Sequence, residues 1–146
     1  MLKRTALLTF FALALAHAAS AQAPGNMRLL EGYTHTPSQG IDTAVGRISK
    51  PGGMTIEYDN GAMAGQYARK CSSKSACLWF KRQWVGGREV WLGMTKEGEI
   101  IATFPKSSAN FFARTNSPED VADFLLMVMT YGAEETKGAA PKPKRR

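Results

Sequence analysis

The sequence is poor in the residues on which most metalloproteins and many hydrolases depend. Its 146 residues include only two cysteines and two histidines, too few for a scaffold held by several disulfides or for a four-cysteine zinc site. It contains no glycine-rich phosphate loop, dinucleotide fingerprint or Gly-x-Ser-x-Gly elbow. We therefore predict no metal site and no cofactor. Hydrophobic residues still make up 44% of the chain, which argues against disorder over most of its length.

The amino terminus has the three parts of a secretory signal peptide. Lys3 and Arg4 precede the apolar run 6–16, and small residues occupy the last and third-last positions of the segment that ends at Ala21. The run is too short to span a bilayer stably. We expect residues 1–21 to be removed, which makes the protein exported, either periplasmic or secreted, with no transmembrane segment in the mature chain.

The formal charge of +7 is unevenly distributed. Residues 22–136 carry 12 basic and 12 acidic side chains, whereas the tail 137–146 carries five basic side chains and no acid. A neutral body with a basic tail is not typical of a nucleic-acid-binding domain, and we expect no nucleic acid partner. The tail is predicted to be disordered. Its basic residues are Lys137, Lys142, Lys144, Arg145 and Arg146. They either hold the protein to an anionic envelope surface or only aid its solubility.

A second basic region lies inside the body, where no acid occurs between Asp59 and Glu89. Aromatic and basic side chains alternate through this stretch, a combination that suits recognition of a protein or an anionic envelope polymer. We predict a binding surface formed by Arg69, Lys70, Lys74, Trp79, Lys81, Arg82, Trp84 and Trp91. No feature of the sequence predicts an oligomeric state.

The two cysteines, Cys71 and Cys77, flank a five-residue loop within this basic region. An exported protein keeps such a pair oxidised, so we predict a structural disulfide at the start of a strand. A redox-active pair would be expected to have two intervening residues rather than five.

Three consecutive strands can be predicted from Cys77 to Phe104. Gly86-Gly87 is a two-residue hairpin signal and Lys96-Glu97-Gly98 a three-residue turn. With Val85 opposite Arg88, one face becomes continuously apolar and is assigned to the core: Trp79, Val85, Val90, Leu92, Met94, Ile100, Ala102 and Phe104. The opposite face then holds Leu78, Phe80, Arg82, Trp84, Glu89, Trp91, Ile101 and Thr103.

The other predicted elements are a hairpin and one helix. Strands are predicted over Thr43–Ser49 and Met54–Tyr58, with a weaker one over 64–68. Ser117-Pro118 begins an amphipathic helix whose Leu126 and Met127 predict burial almost all round. We predict a single α+β domain over 41–136, an antiparallel sheet of five or six strands packed by one carboxy-terminal helix, preceded by a partly irregular segment 22–40.

The second, aromatic face has two possible environments. Either it is open and forms a partner-sized patch, or the Thr43–Tyr58 hairpin folds over it and pairs Arg82 with Glu89 as part of a second core layer. The covered arrangement is the one we favour. The predicted contact surface is the basic disulfide tip, from Arg69 to Arg82, with the neighbouring tryptophans.

Catalytic machinery is sparsely represented. After export only His35 remains as a histidine; as a general base it would have Ser38 as its nucleophile or Asp42 as its orienting acid. Glu57 and Asp59 lie two residues apart on one strand face, where a carboxylate pair could flank a sugar or bind calcium; acids of a solvated turn are the commoner explanation. An exported non-catalytic binding or accessory domain is the leading hypothesis; the alternatives are an envelope-associated protein held by its tail and an exported hydrolase that uses His35.

Overall fold

The protein is described by a computed structural model over residues 22–73 and 75–133. The predicted signal peptide, the predicted basic tail and Lys74 lie outside the described residues. Within the described residues, seven strands and one α-helix confirm the α+β fold, with more strands than the five or six expected. The strands are β1 (Thr34–Ser38), β2 (Ala44–Ser49), β3 (Thr55–Asn60), β4 (Cys77–Val85), β5 (Arg88–Thr95), β6 (Glu99–Phe104) and β7 (Ala109–Arg114); the helix, α1, is Pro118–Val128.

All seven strands form one antiparallel sheet in the order β1-β2-β3-β7-β6-β5-β4. The predicted register of the β4–β5–β6 meander is confirmed, because Val85 pairs with Arg88 and Met94 with Ile100. Gly86 and Gly87 have φ of 55° and 76°, the backbone that a tight hairpin turn with two left-handed residues requires. These two glycines therefore set the alignment of β4 with β5.

Two strands were missing from the sequence prediction, and one predicted strand is wrong. β1 lies in the segment expected to be partly irregular, and its Pro37 is tolerated because β1 is an edge strand. β7 lies at the centre of the sheet; five of its six residues are buried or half-buried on both faces, so no alternation marks it. Residues 64–68 form no strand, and a 3-10 helix runs over Tyr67–Ser72 instead.

The helix α1 begins as predicted and packs on one side only. The Ser117 hydroxyl accepts the Asp120 amide at 3.3 Å, and Pro118 is its first residue. Phe124 and Met127 are fully buried against the sheet, whereas Leu126 is 61% exposed. The expectation of burial almost all round is wrong because α1 lies across a single sheet, with nothing described on its outer side.

The helix covers what we call the helix face of the sheet, which carries the main core. Strand side chains such as Ile56 and Phe111 pack there against α1 and against the segment 23–33. The opposite side, the second face, is covered at its centre by residues 61–73, which we call the cover segment. The β2–β3 hairpin does not fold over this face, contrary to the favoured prediction; it extends the sheet beside β7.

Candidate binding surface

A buried asparagine attaches the cover segment to the second face. Asn110, on β7, is fully buried, and its side-chain oxygen accepts the Tyr67 amide at 3.0 Å and the Thr103 hydroxyl at 2.7 Å. Its side-chain nitrogen donates to the Gly65 carbonyl at 2.7 Å and to the Asp59 carbonyl at 3.2 Å. Every polar atom of the side chain is thus satisfied, which is what makes burial of an amide tolerable.

The predicted disulfide joins the cover segment to the start of β4. Cys71 and Cys77 are bonded, and both are buried. Beneath them Gly93 leaves the necessary space: a Cβ there would lie 2.6 Å from the Cys71 Sγ. The sulfur bridge therefore fixes where the cover ends and where the uncovered part of β4 begins.

The basic residues of the predicted tip do not converge on one point. Arg69 and Lys70 are exposed on the 3-10 helix. The Lys70 Nζ lies 2.6 Å from a Glu99 carboxylate oxygen, so its charge is already paired. The third predicted tip residue, Lys74, lies outside the described residues.

The predicted β4 residues divide between the two faces of the sheet. Trp79 pairs with Met94, which places its side chain on the helix face, as the sequence register predicts. Lys81 pairs with Leu92 and shares that side. The predicted contact residues of β4 therefore lie on both faces of the sheet and do not form a single patch.

On the second face, Arg82 and Trp84 are joined by Trp91 of β5. Arg82 lies opposite Trp91, with its guanidinium carbon 4.9 Å from the centre of a Trp91 ring. One Glu89 oxygen accepts the Arg82 Nη2 at 2.7 Å and the Trp91 indole N–H at 2.8 Å. These two hydrogen bonds, Trp91's first and then Arg82's, lower the pKa of Glu89. The arrangement holds an indole and a guanidinium in fixed positions at the surface.

Trp84 is the most exposed aromatic side chain of this cluster. It is 63% exposed, and the Lys106 Nζ lies 5.3 Å from the centre of its ring. Lys106 comes from the β6–β7 turn, which no local sequence signal connects with β4. Only the sheet topology, which includes the unpredicted β7, brings this lysine to the tryptophan.

β4 is also an edge strand with unusual exposure for its composition. Among the described residues it pairs only with β5, so its other backbone edge has no strand partner. Leu78, Trp79 and Trp84 are 66%, 37% and 63% exposed. Trp84 lies on the second face, so the prediction that the aromatic face is covered is wrong at this end of β4. The cover segment is joined to β4 at Cys77, which is the opposite end of the strand.

The residues of the hydrolase hypothesis are not arranged as a catalytic pair. His35 lies on the helix face of β1, where a ring nitrogen is 2.8 Å from the Tyr58 hydroxyl. Ser38 has the opposite strand parity and points to the other face. Asp42 is exposed in the β1–β2 connection. This geometry gives the histidine no support as the base for that serine.

The two predicted acids share the second face of β3, but one already has a partner. Glu57 is exposed. Asp59 accepts a hydrogen bond from the Tyr67 hydroxyl, which raises the pKa of Tyr67 to about 12. Asp59 therefore helps to hold the cover segment through Tyr67.

Neither a metal site, a membrane-spanning helix nor a similar protein is found for the described part of the chain. Within residues 22–73 and 75–133, no three His, Cys, Asp or Glu side chains are grouped closely enough to hold a metal ion. In the same part of the chain, no helix has both the length and the apolarity needed to cross a membrane. Comparisons with protein-family models, curated proteins and solved structures find no match for this chain.

Proposed function

We propose that this protein is an exported, non-catalytic binding domain that recognises a protein partner through the open strand β4. The observation that carries the proposal is the exposure of large apolar side chains along an edge strand with one described neighbour. Trp84, Arg82 and Trp91 form the contact surface on the second face, and Trp79 and Lys81 lie on the other side of the same strand.

The edge of a sheet supports recognition of an extended peptide. Its unpaired backbone donors and acceptors can add a strand, and side chains on both sides then select the partner. Lys81 and Arg82 lie in the middle of β4 and are exposed. The Arg82 charge is paired with Glu89, so the Lys81 charge is the one that discourages pairing between two copies of the chain and attracts an acidic segment of a different protein.

The aromatic side chains supply the expected affinity. Tryptophan and arginine are enriched among the few interface residues that dominate binding, and truncation of such a residue typically costs about 2 kcal/mol or more. Arg82 and Trp91 are already held in place by Glu89. Binding therefore costs less side-chain entropy than it would if Arg82 and Trp91 rotated freely.

Export is part of the proposal and has two supports. The first is the order of charge, apolar run and small residues at the amino terminus. The second is the disulfide, because disulfides persist chiefly in oxidising compartments.

Site-specific photocross-linking in cells that export the protein tests the contact surface. A photoreactive amino acid at Trp84 is compared with the same group at Leu126, which is equally exposed at 61% but lies on α1. We expect a discrete cross-linked species from position 84 that is absent at position 126. Identical cross-linking patterns at the two positions would contradict the assignment of β4.

A second candidate function rests on the charge of the tail. Five basic residues and no acid in 137–146 would attach the protein to anionic lipid or an envelope polymer at low salt, at about 1 kcal/mol per charge. Deletion of residues 137–146 should then abolish salt-dependent retention on vesicles containing phosphatidylglycerol. Retention that survives the deletion would remove this candidate.

A further inference from the structure

Arg88, at the start of β5, has more hydrogen-bond donors than the described structure uses. Its side chain lies over the Phe104 ring, with the guanidinium carbon 5.8 Å from the ring centre. Its Nη2 donates to the Met129 carbonyl at 2.9 Å. The Nε and Nη1 atoms are buried and have no partner among the described residues.

A structural role explains only part of this arrangement. Met129 caps the carboxy terminus of α1, where free carbonyls favour a cation. That role needs one N–H group. Buried charged donors without acceptors are unfavourable, and a guanidinium carries five N–H donors in a fixed plane. The unused donors therefore point to an acceptor that is not among the described residues.

A cavity of about 270 Å³ adjoins the guanidinium. Four separate parts of the chain meet around it: the segment that contains Gly25, the β4–β5 turn with the start of β5, the β6–β7 turn with the end of β6, and the residues after α1. Phe104 and Tyr131 supply aromatic wall, with ring centres 4.9 Å apart. The remaining lining residues are Gly25, Gly87, Arg88, Glu89, Lys106, Ser107 and Gly132.

The charge around the cavity favours an anion. Lys106 and Arg88 both line it. Among the described residues Glu89 is the one acid in the lining, and its carboxylate is already held by Arg82 and Trp91. A small anion that carries an apolar group would match both the cations and the aromatic wall.

We propose that this cavity binds a small organic carboxylate, with the carboxylate on Arg88 and Lys106 and the apolar part against Phe104 and Tyr131. The site adjoins the β4 contact surface and shares two residues with it, Lys106 beside Trp84 and Glu89 beside Arg82. Its volume suits a single-ring acid or an amino-acid-sized ligand and is too small for a polymer.

Titration of the ¹⁵N-labelled full-length protein with benzoate tests the site. The readouts are the Arg88 Nε–H resonance and the backbone amides of Gly87 and Gly132. We expect saturable shifts with a dissociation constant of about 1 mM, as befits a ligand of this size. Benzamide, which has the same shape and no charge, should cause no saturable shift.

Two variants locate the binding. Arg88→Lys keeps a cation but loses the planar donors, so benzoate should bind about tenfold more weakly or worse. Lys106→Ala changes an exposed side chain and should weaken binding by about threefold. Unchanged affinity in a folded Arg88→Lys protein would overturn the proposal, and so would equal shifts with benzamide.

The chain's own acids provide the sharpest control. Glu134 and Glu135 follow the described residues directly. If benzoate causes saturable shifts in the natural protein, the site is open to ligand. If such shifts occur only in the Glu134→Gln/Glu135→Gln protein, an internal carboxylate is the acceptor and the ligand proposal is wrong.

Discussion

The two edges of the sheet, β1 and β4, differ in every property that controls strand addition. β1 has five residues, includes Pro37 and carries mainly small polar side chains. β4 has nine residues, no proline and three large apolar side chains that are at least 37% exposed. Short length and proline are common devices for preventing pairing at an edge. Within the part of the chain that the structure describes, β1 is protected in this way, whereas the outer edge of β4 has no strand partner.

This difference shows why burial alone does not explain the aromatic residues of β4. Trp84 contributes little to the core because it lies beyond the reach of both α1 and the cover segment. Its neighbours Arg82 and Trp91 are nevertheless held in a defined geometry by Glu89. Exposed side chains that are both large and well positioned favour recognition.

The largest expected effect on stability comes from releasing the cover segment, which protects the centre of the second face between the two edges. Asn110→Ala removes an acceptor from the Tyr67 amide and a donor from the Gly65 carbonyl, both in the cover segment, and a donor from the Asp59 carbonyl of β3. We expect a loss of about 3 kcal/mol in the free energy of unfolding, measured by denaturant titration. Asn116→Ala changes an exposed asparagine and should stay within about 0.5 kcal/mol. Equal losses in the two proteins would contradict the anchoring role.

Removal of the disulfide should have a smaller effect on stability and should affect the two edge strands unequally. Cys71→Ala/Cys77→Ala removes the bond between the cover segment and β4, and the loss of unfolding free energy should be about 2 kcal/mol. Because edge amides exchange through local opening, hydrogen exchange should accelerate at the start of β4 more than in β1. Equal acceleration in both edge strands would show that the disulfide has no local effect on β4.

The smallest expected effect concerns an ion pair near each edge. The Lys50 Nζ lies 2.8 Å from Asp123 beside β1, and the Arg82 Nη2 lies 2.7 Å from Glu89 beside β4. Hydrogen bonds from Lys50 and Tyr33 lower the pKa of Asp123, as Trp91 and Arg82 do for Glu89. A carboxylate with a lowered pKa stabilises the fold above its unfolded pKa of about 4 and loses that effect as the pH falls through its folded pKa.

Acid titration of stability therefore compares the two pairs. Asp123→Asn and Glu89→Gln should each flatten the decrease in stability below about pH 5, when unfolding is followed at several pH values. The effect should shrink in high salt because both pairs reach the surface. An unchanged acid slope in either variant would show that its pair makes no net contribution.

The carboxy-terminal meander was predictable because its turns carry a strong local signal. Gly86-Gly87 fixed one register and Gly98, with φ of 81°, fixed the next. Ser117-Pro118 likewise marked the start of α1. These elements depend on backbone chemistry that the residues themselves determine.

The missing elements depend on tertiary contacts. β7 is buried on both faces, so its sequence has no alternation, and the cover segment is held by Asn110 from a strand more than 30 residues away in sequence. Local propensity describes neither relationship. The Trp84–Lys106 contact and the Arg88 cavity were missed for the same reason, because both depend on where β7 places the β6–β7 turn.

The most direct test of the central claim measures the affinity of the purified protein for the partner that is cross-linked at position 84. We predict that Trp84→Ala weakens this affinity by about 30-fold, equivalent to roughly 2 kcal/mol, while unfolding changes by less than about 1 kcal/mol. Leu126→Ala, at a similarly exposed site on α1, should change the affinity by less than about twofold. Equal affinities for the Trp84→Ala and Leu126→Ala proteins would contradict recognition through β4.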